Sequence, residues 1–186
     1  IPSIYVGGQN CSNYKNGAFT GDISAFMIKD NNCHFCLLGH SERRQLFNET
    51  NEDIYLKTLC ALKADLNPII CVGETLEEKK NGNTKKILEK QITECIPQKL
   101  SNDVIIIAYE PIWAIGSGLT PTLEEIDSIH SFIKNDIVGF ENFKILYGGS
   151  VKASNSREIM DLDNVDGVLV GGASLDPYEF SKILTV

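Results

Sequence analysis

Residues 104–118 have the sequence VIIIAYEPIWAIGSG, in which a short apolar run is followed at once by a carboxylate and a loop. Runs of this kind, rich in β-branched residues and apolar almost throughout, are typical of strands that are covered on both faces. Val104–Tyr109 is therefore predicted to be a buried strand with Glu110 at its tip. Five other runs have the same character: Ile4–Gly8, Phe35–Gly39, Pro68–Gly73, Lys144–Tyr147 and Gly167–Val170.

Longer segments with helical spacing separate these runs. Apolar residues recur every three or four positions in Glu52–Asp65 and in Thr84–Leu100, which predicts two amphipathic helices. Thr122 and Glu125 form a capping-box pattern, and Asp176 precedes a proline at the first helical position, so both mark helix starts. The alternation of strands and helices predicts an α/β protein with a parallel (β/α) barrel.

About six strand–helix units can be counted, whereas a closed barrel of this kind needs eight units and about 250 residues. The sequence of 186 residues begins at Ile1 without an initiator methionine and runs directly into an apolar stretch. We therefore expect an incomplete barrel that lacks its two N-terminal units. No linker or change in composition divides the chain, so residues 1–186 are predicted to form a single, N-terminally truncated domain.

The net charge of the chain limits the kind of partner that it is expected to bind. The chain has 17 basic and 25 acidic side chains and a net charge of -8, which repels nucleic acid and anionic membranes. A small molecule is the expected partner, and an anionic one must be captured by local donors such as backbone amides. No run approaches the roughly twenty apolar residues of a membrane span and no signal segment opens the chain, so a cytoplasmic protein is expected.

The six cysteines are scattered, and several lie within apolar runs, which favours buried thiols in a reducing compartment. Cys33, His34 and Cys36 have the spacing of half a metal site, but no second pair of Cys or His residues follows at a useful interval. No metal and no cofactor are therefore expected.

His40 stands between the run Phe35–Gly39 and a polar helical start, Ser41–Arg43. The positive end of a helix dipole disfavours imidazolium, so His40 at this position can stay neutral and donate a hydrogen bond. A surface histidine in a charged turn is the alternative.

Glu110 is the candidate general base, because its strand delivers it to the end at which α/β barrels build their active sites. The apolar segment that follows ends in Gly116 and Gly118 and has the composition of a lid that closes and excludes water. We expect such closure to raise the basicity of Glu110. A strand-end glutamate paired with a nearby arginine is the alternative.

Two glycine pairs, Gly148-Gly149 and Gly171-Gly172, follow the last two predicted strands. Backbone amides exposed in the loops after the last two strands of such barrels commonly form a phosphate site. Neither pair has the spacing of a dinucleotide-binding or P-loop motif. Glycine-rich turns without a ligand are the alternative.

Five motifs together resemble the triosephosphate isomerases in identity, order and approximate spacing: Gly17–Gly21, Leu38–Arg44, Ala108–Gly118, Tyr147–Ser150 and Asp166–Ser174. The resemblance covers essentially all 186 residues. It implies a barrel of the TIM type, and an enzyme of glycolysis and gluconeogenesis that interconverts dihydroxyacetone phosphate and D-glyceraldehyde 3-phosphate.

By this resemblance, Glu110 moves a proton between two carbons of the substrate through an enediolate, and neutral His40 polarises the carbonyl. The substrate phosphate is expected to contact the amides of Gly116, Gly171 and Gly172 and the group at Ser150. The lid is expected to comprise Pro111, Ile112, Trp113, Ala114, Ile115, Gly116, Ser117 and Gly118.

The resemblance also implies supporting roles for Asn10, Ser41, Glu42 and Tyr147, the last as a latch for the closed lid. The loop Cys11–Thr20 resembles the segment that, in this family, reaches into a partner subunit. A homodimer is therefore expected.

The family's first strand, which carries an Asn-x-Lys motif that contacts the substrate, has no match in this chain. Lys15 lies in the loop that resembles the dimer contact and is not its equivalent. Without that lysine the enediolate loses a cationic partner, as does Glu42. Catalysis by the 186-residue chain alone is therefore not implied.

Two other hypotheses compete with the isomerase. A non-catalytic barrel remnant would only bind phosphate or associate through the open edges of its sheet. A barrel isomerase for a phosphoribosyl substrate leaves Glu110–Trp113 unexplained. The isomerase hypothesis depends on one spatial prediction, that Glu110, His40 and the glycine pairs converge on a single pocket at one end of the sheet.

Overall fold

The computed structural model describes residues 4–98, 105–115, 119–137 and 143–185. Its strands lie in one sheet in the order β1-β2-β3-β4-β5-β6, which is the order of the chain. β1, β2 and β3 pair in parallel, as do β5 and β6, so helices must connect them. The predicted alternation of strands and helices is confirmed. The strands are β1 (Gly7–Gly8), β2 (Phe35–Leu38), β3 (Asn67–Val72), β4 (Ile106–Tyr109), β5 (Lys144–Tyr147) and β6 (Gly167–Val168).

Most of the described helices begin at a residue whose side chain caps them. Thr50, Thr75 and Thr122 each form a capping box, and Asp176 accepts hydrogen bonds from two backbone amides ahead of Pro177. The starts predicted at Thr122 and Asp176 are thus confirmed. The α-helices are α1 (Ala25–Asp30), α2 (Ser41–Leu46), α3 (Asn51–Lys63), α4 (Leu76–Lys80), α5 (Thr84–Cys95), α6 (Leu123–Asn135), α7 (Ser156–Met160) and α8 (Pro177–Leu184).

Two predicted elements are longer than the observed ones by three residues or more. Residues 4–6 lie outside β1 and are exposed, because β1 pairs with β2 only through Gly7 and Gly8. The helix predicted over Thr84–Leu100 ends at Cys95, two residues before Pro97, whose ring disfavours helical backbone at the residue before it.

The chain falls into two compact units. The first comprises Ile1–Cys71 and Lys90–Ile106, and the second comprises Val72–Glu89 and Ile107–Val186. Leu38, Ile54 and Ile70 are fully buried in the first unit, as are Ile107 and Ile145 in the second. The single domain expected over residues 1–186 stays a prediction.

Within the described residues, no helix has both the length and the apolar character that crossing a membrane requires. The same part of the chain contains no group of three or more His, Cys, Asp or Glu side chains that could hold a metal ion. Cys36, which the sequence placed in a possible half site, is fully buried, whereas Cys33 is half-buried.

Candidate active site

His40 lies where β2 passes into α2. Gly39 between them has a φ of +69°, and a Cβ added there would lie 2.6 Å from Cδ1 of Ile54, so only glycine fits this turn. His40 is the N-cap of α2, and its Nδ1 accepts a hydrogen bond from the backbone N–H of Glu42 at 3.3 Å. The predicted position of His40 at a helix start is confirmed.

The contact with Glu42 assigns a tautomer to His40. An N–H that donates to Nδ1 requires a lone pair on that nitrogen, so the proton of the neutral imidazole is on Nε2. The carboxylate of Glu42 lies 3.9 Å from the same Nδ1. His40 can therefore present Nε2–H as a donor while the helix start holds its other nitrogen.

Asn10 belongs to a charged cluster in the first unit that the sequence did not reveal. Its Oδ1 accepts a hydrogen bond from Lys57 Nζ at 2.9 Å, and Lys57 also contacts Glu49 Oε1 at 2.5 Å. Arg43 Nε contacts the same oxygen at 2.5 Å. These four side chains line a cavity of about 570 Å³. Lysines are mostly exposed, so the burial of Lys57 is seen only in the packed structure.

Ser41 begins α2 and is buried, and Arg44 on the same helix connects three parts of the first unit. Its guanidinium donates to the carbonyl of Gly39 at 2.9 Å, to that of Cys71 at 3.1 Å and to Oδ1 of Asn51 at 2.6 Å. The turn that carries His40 is thus tied to the end of β3 and to the start of α3.

Glu110 follows β4 and is 2% exposed. Its backbone N–H donates to the carbonyl of Val72 at 2.7 Å. Two glycines make room for it, because a Cβ on Gly73 would lie 1.8 Å from the Glu110 carbonyl oxygen and one on Gly148 would lie 2.9 Å from Cγ of Glu110. Glu110 is therefore packed at a strand tip, with its backbone against Gly73 and its side chain against Gly148.

The start of the predicted lid is anchored. Ile112–Ala114 form a 3-10 turn, and the N–H of Ile112 donates to the carbonyl of Glu74 at 3.1 Å. Trp113 Nε1 donates to Glu74 Oε1 at 2.8 Å. The other predicted lid residues Gly116, Ser117 and Gly118 lie outside the described residues.

Glu74 was missed by the sequence analysis. It is 1% exposed, and Tyr109 Oη donates to the same Oε1 at 3.3 Å. Burial raises the pKa of the Glu74 carboxyl, while the hydrogen bonds from Trp113 and Tyr109 act in the opposite sense. Glu74 follows the predicted strand Pro68–Gly73 directly, so the reasoning that selected Glu110 at a strand tip could also have selected Glu74.

Tyr147 ends β5 and is fully buried, and burial raises its pKa to about 12. A Cβ on Gly149 would lie 2.2 Å from Tyr147 Oη, which explains the glycine at that position. Ser150 is half-buried, and its carbonyl accepts a hydrogen bond from Asn155 Nδ2 at 3.0 Å. Gly148–Ser150 thus form a compact turn after β5.

Gly171 and Gly172 are exposed and follow β6, which pairs with β5 through Tyr147 and Val168. A Cβ added at Gly171 or Gly172 would meet no atom within 4 Å among the described residues, so the space beside this backbone is open. Gly172 begins a 3-10 turn that ends at Leu175. The two glycine pairs therefore follow paired strands, as predicted.

Within the second unit, the structure places Glu110, the start of the lid and the two glycine turns after successive strands. His40, Ser41, Glu42 and Asn10 belong to the first unit. Their convergence with Glu110 on one pocket stays a prediction.

Comparisons with known proteins agree on one family. The triosephosphate isomerase family model matches residues 2–186. Triosephosphate isomerase of Francisella philomiragia is 43% identical over 189 residues, which cover 97% of this chain and 74% of that protein. That of Chloroherpeton thalassium is 44% identical, with 98% and 75% covered.

A solved structure supports the same conclusion. Triosephosphate isomerase from Bartonella henselae superimposes with a TM-score of 0.88 at 40% identity, covering 97% of this chain and 76% of that one. The parallel α/β architecture predicted from the sequence is thus the TIM-barrel type. Because the family model spans almost the whole chain, this protein belongs to the triosephosphate isomerase family, a family of isomerase enzymes.

Proposed function

We propose that this chain interconverts dihydroxyacetone phosphate and D-glyceraldehyde 3-phosphate by proton transfer through an enediolate, a step of glycolysis and gluconeogenesis. The observation that carries the proposal is the carboxylate of Glu110, buried at the tip of β4 directly before the proposed lid. A carboxylate withdrawn from water at a strand end is suited to general-base work on a carbon acid.

His40 is proposed to polarise the substrate carbonyl. The hydrogen bond from Glu42 N–H to Nδ1 supports this role, because it orients the ring and leaves the proton on Nε2. A neutral donor aimed at a developing oxyanion stabilises the enediolate without first binding it as a cation.

The substrate phosphate is proposed to bind the amides of Gly171, Gly172 and Gly116 and the group at Ser150. The open space beside Gly171 and Gly172 supports this assignment, since nothing among the described residues blocks an approach to their backbone. Local amides also suit a chain whose net charge of -8 opposes the approach of an anion.

Residues 111–118 are proposed to form a lid over the substrate, with Tyr147 and Ser150 as its latch and with Asn10, Ser41 and Glu42 in supporting positions. The hydrogen bond from Trp113 to Glu74 supports this assignment, because it fixes the start of the proposed lid. A closed lid excludes water and strengthens the electrostatic contacts beneath it.

A homodimer in the cytoplasm is also proposed, formed through the loop Cys11–Thr20. The side chains of Tyr14 and Phe19 in this loop stack at 3.9 Å and are 48% and 40% exposed, which leaves an apolar pair available to a second copy. The cluster of Asn10, Arg43 and Lys57 lies at the base of the same loop.

The direct test of the proposed base is exchange of the C1 proton of dihydroxyacetone phosphate in D₂O, followed by NMR, on the purified chain. Glu110→Gln is expected to slow the exchange by about a hundredfold or more, because the amide cannot accept the proton. Glu158→Gln, at an exposed position on α7, is the matched control and is expected to change nothing. A coupled assay of triose phosphate interconversion should follow the same pattern.

Equal exchange by the parent and by Glu110→Gln would remove Glu110 from the role of base. The absence of exchange from the parent chain would favour the second candidate, a non-catalytic barrel that binds phosphate. The names and extended similarity of the relatives favour the isomerase over that candidate.

A further inference from the structure

Arg44 on α2 is half-buried, and all three nitrogens of its guanidinium have partners in the first unit. Nε donates to the carbonyl of Gly39 at 2.9 Å, Nη1 to Oδ1 of Asn51 at 2.6 Å and Nη2 to the carbonyl of Cys71 at 3.1 Å. Nη2 also lies 3.7 Å from Sγ of Cys95. One side chain thus joins the turn before α2, the start of α3 and the end of β3.

Two of these partners extend a pair of strands. The pairing of β2 with β3 ends at Leu38 and Ile70, and Gly39 and Cys71 are the next residues of the two chains. Arg44 donates to the carbonyls of both. The guanidinium therefore holds the two strand ends together where their backbone pairing stops.

The third partner, Asn51, is held by contacts of its own. Its Nδ2 donates to Oε2 of Glu94 at 2.8 Å, and the thiol of Cys95 donates to its Oδ1 at 3.5 Å. Asn51 is also the first residue of α3. Its side-chain oxygen is therefore a fixed acceptor for Arg44.

The contact with Gly39 acts directly on His40. The carbonyl of Gly39 and the N–H of His40 belong to one planar peptide group, so a hydrogen bond to that carbonyl fixes the plane from which the His40 side chain starts. The peptide on the other side of His40 is held as well, because its carbonyl accepts from the backbone N–H of Arg44 at 3.1 Å. Arg44 thus holds the backbone on both sides of His40.

We propose that Arg44 is a positioning residue for His40. By fixing the turn against β3 and α3, the guanidinium keeps Nδ1 of His40 within reach of the N–H of Glu42 and so sets the direction of Nε2–H. A lysine cannot replace it, because one ammonium nitrogen cannot span three acceptors on three elements. The purpose of the positioning rests on the proposed function, whereas the effect on the imidazole rests only on contacts within the first unit.

A purely structural arginine is the competing explanation. Such a residue would stabilise the fold, and its loss would lower activity to the same extent whether or not His40 is present. A residue that acts through His40 has an effect only while His40 is there, so the two substitutions should not be additive.

The first test needs no activity. Long-range ¹H–¹⁵N NMR spectra resolve the imidazole nitrogens of the three histidines, and His40→Gln identifies those of His40. In the parent, Nδ1 of His40 is expected at the position of an unprotonated acceptor. In Arg44→Lys its resonance should shift toward the tautomer-averaged position, since the contact from Glu42 is already 3.3 Å long and is lost if the turn relaxes.

The second test is a double-mutant cycle on exchange of the C1 proton of dihydroxyacetone phosphate in D₂O. Arg44→Lys is expected to slow the exchange by roughly tenfold, because a small misplacement of a reacting group costs one to two orders of magnitude. In the His40→Gln background the same substitution should change the rate by less than about twofold.

Two further variants complete the design. Arg157→Lys makes the same chemical change at an exposed position on α7 and should equal the parent in both tests. Asn51→Leu removes one acceptor of Arg44 without altering the turn, so it should shift the Nδ1 resonance in the same direction by a smaller amount. Melting temperatures show which variants are folded, and Asn51→Leu decides if Arg44→Lys is not.

The outcomes separate the positioning from the proposed function. An unchanged Nδ1 resonance of His40 in the folded variant overturns the proposal. Equal losses of exchange with and without His40 also overturn it and make Arg44 a structural residue. A shifted resonance in a chain whose parent shows no exchange supports the positioning and counts against the proposed function.

Discussion

The two compact units surround a buried carboxylate in different ways. Glu49 in the first unit contacts two cations, Arg43 and Lys57, through one oxygen. Glu74 in the second unit accepts hydrogen bonds from two neutral donors, Trp113 and Tyr109. In both, Oε2 is buried and has no hydrogen-bond partner among the described residues. Neighbouring cations compensate a buried negative charge, whereas around Glu74 burial favours the protonated acid and the two neutral donors oppose it only in part.

His130 is a basic side chain of the second unit that, like Glu74, is buried in a setting that favours its neutral form. It is fully buried, Nδ1 lies 3.3 Å from the carbonyl of Asn164, and Nε2 has no partner among the described residues. Burial lowers its pKa to about 4, against the opposing effect of the Asn164 carbonyl. Around Glu74 and His130, the second unit thus favours neutral side chains, while the first unit holds Glu49 in a charged cluster.

The largest expected effect on stability comes from a substitution that breaks the charged cluster of Glu49, Arg43 and Lys57. Glu49→Gln leaves Lys57 and Arg43 without their counter-charge, and we expect a loss of about 3 kcal/mol in the free energy of unfolding. Urea unfolding monitored by circular dichroism measures it. Glu52→Gln, at an exposed position on α3, should change stability by less than about 0.5 kcal/mol. Equal effects of the two substitutions would show that the cluster of Glu49 contributes no more than a surface charge.

The second prediction concerns the stability that His130 costs the fold at acidic pH. The unfolded chain protonates His130 near the ordinary value of 6.5, whereas the folded chain does so only at about 4. The unfolded state therefore binds more protons between these values, and stability is lost as the pH falls from about 6.5 to about 4, by about 3 kcal/mol from this residue. His130→Gln cannot titrate, so its unfolding free energy should fall less over that window than that of the parent. Parallel pH profiles would contradict the prediction.

The smallest effect concerns Glu74. In Glu74→Gln the amide oxygen still accepts from Trp113, so below the ordinary pKa of 4.5 we expect the variant within about 1 kcal/mol of the parent. As the pH rises from 4.5 through the raised pKa of the folded state, the parent loses stability because the buried carboxyl must ionise. The unfolding free energy of the variant relative to that of the parent should therefore rise with pH. A relative unfolding free energy that falls with rising pH would mean that the neutral donors are sufficient to stabilise the charged carboxylate.

The sequence predicted the parts of the site that local patterns encode. The apolar run before Glu110, the helix start after His40 and the glycine pairs after β5 and β6 all lie where the patterns placed them. Each of these features depends on neighbours within a few residues. The extent of β1 was missed because pairing depends on where β2 begins, which no pattern within residues 4–8 contains.

Lys57, Glu74 and Lys79, which the sequence analysis did not single out, each contact a residue far along the chain. Asn10 and Lys57 are 47 positions apart, Glu74 and Trp113 are 39 apart, and Lys79 and Glu125 are 46 apart. The local sequence around a glutamate after a strand is the same whether its side chain faces water or an indole N–H. Only the packing decides which.

The amino-acid sequence by itself determined the alternation of strands and helices, the helix caps and the family, because hydrophobic period, capping side chains and motif order are properties of neighbouring residues. The tertiary structure alone decided which carboxylates are buried, which of them meet cations and which glycines clear space for Glu110. Those outcomes depend on the order and register of the strands, which bring together side chains whose local sequence carries no mark of the contact.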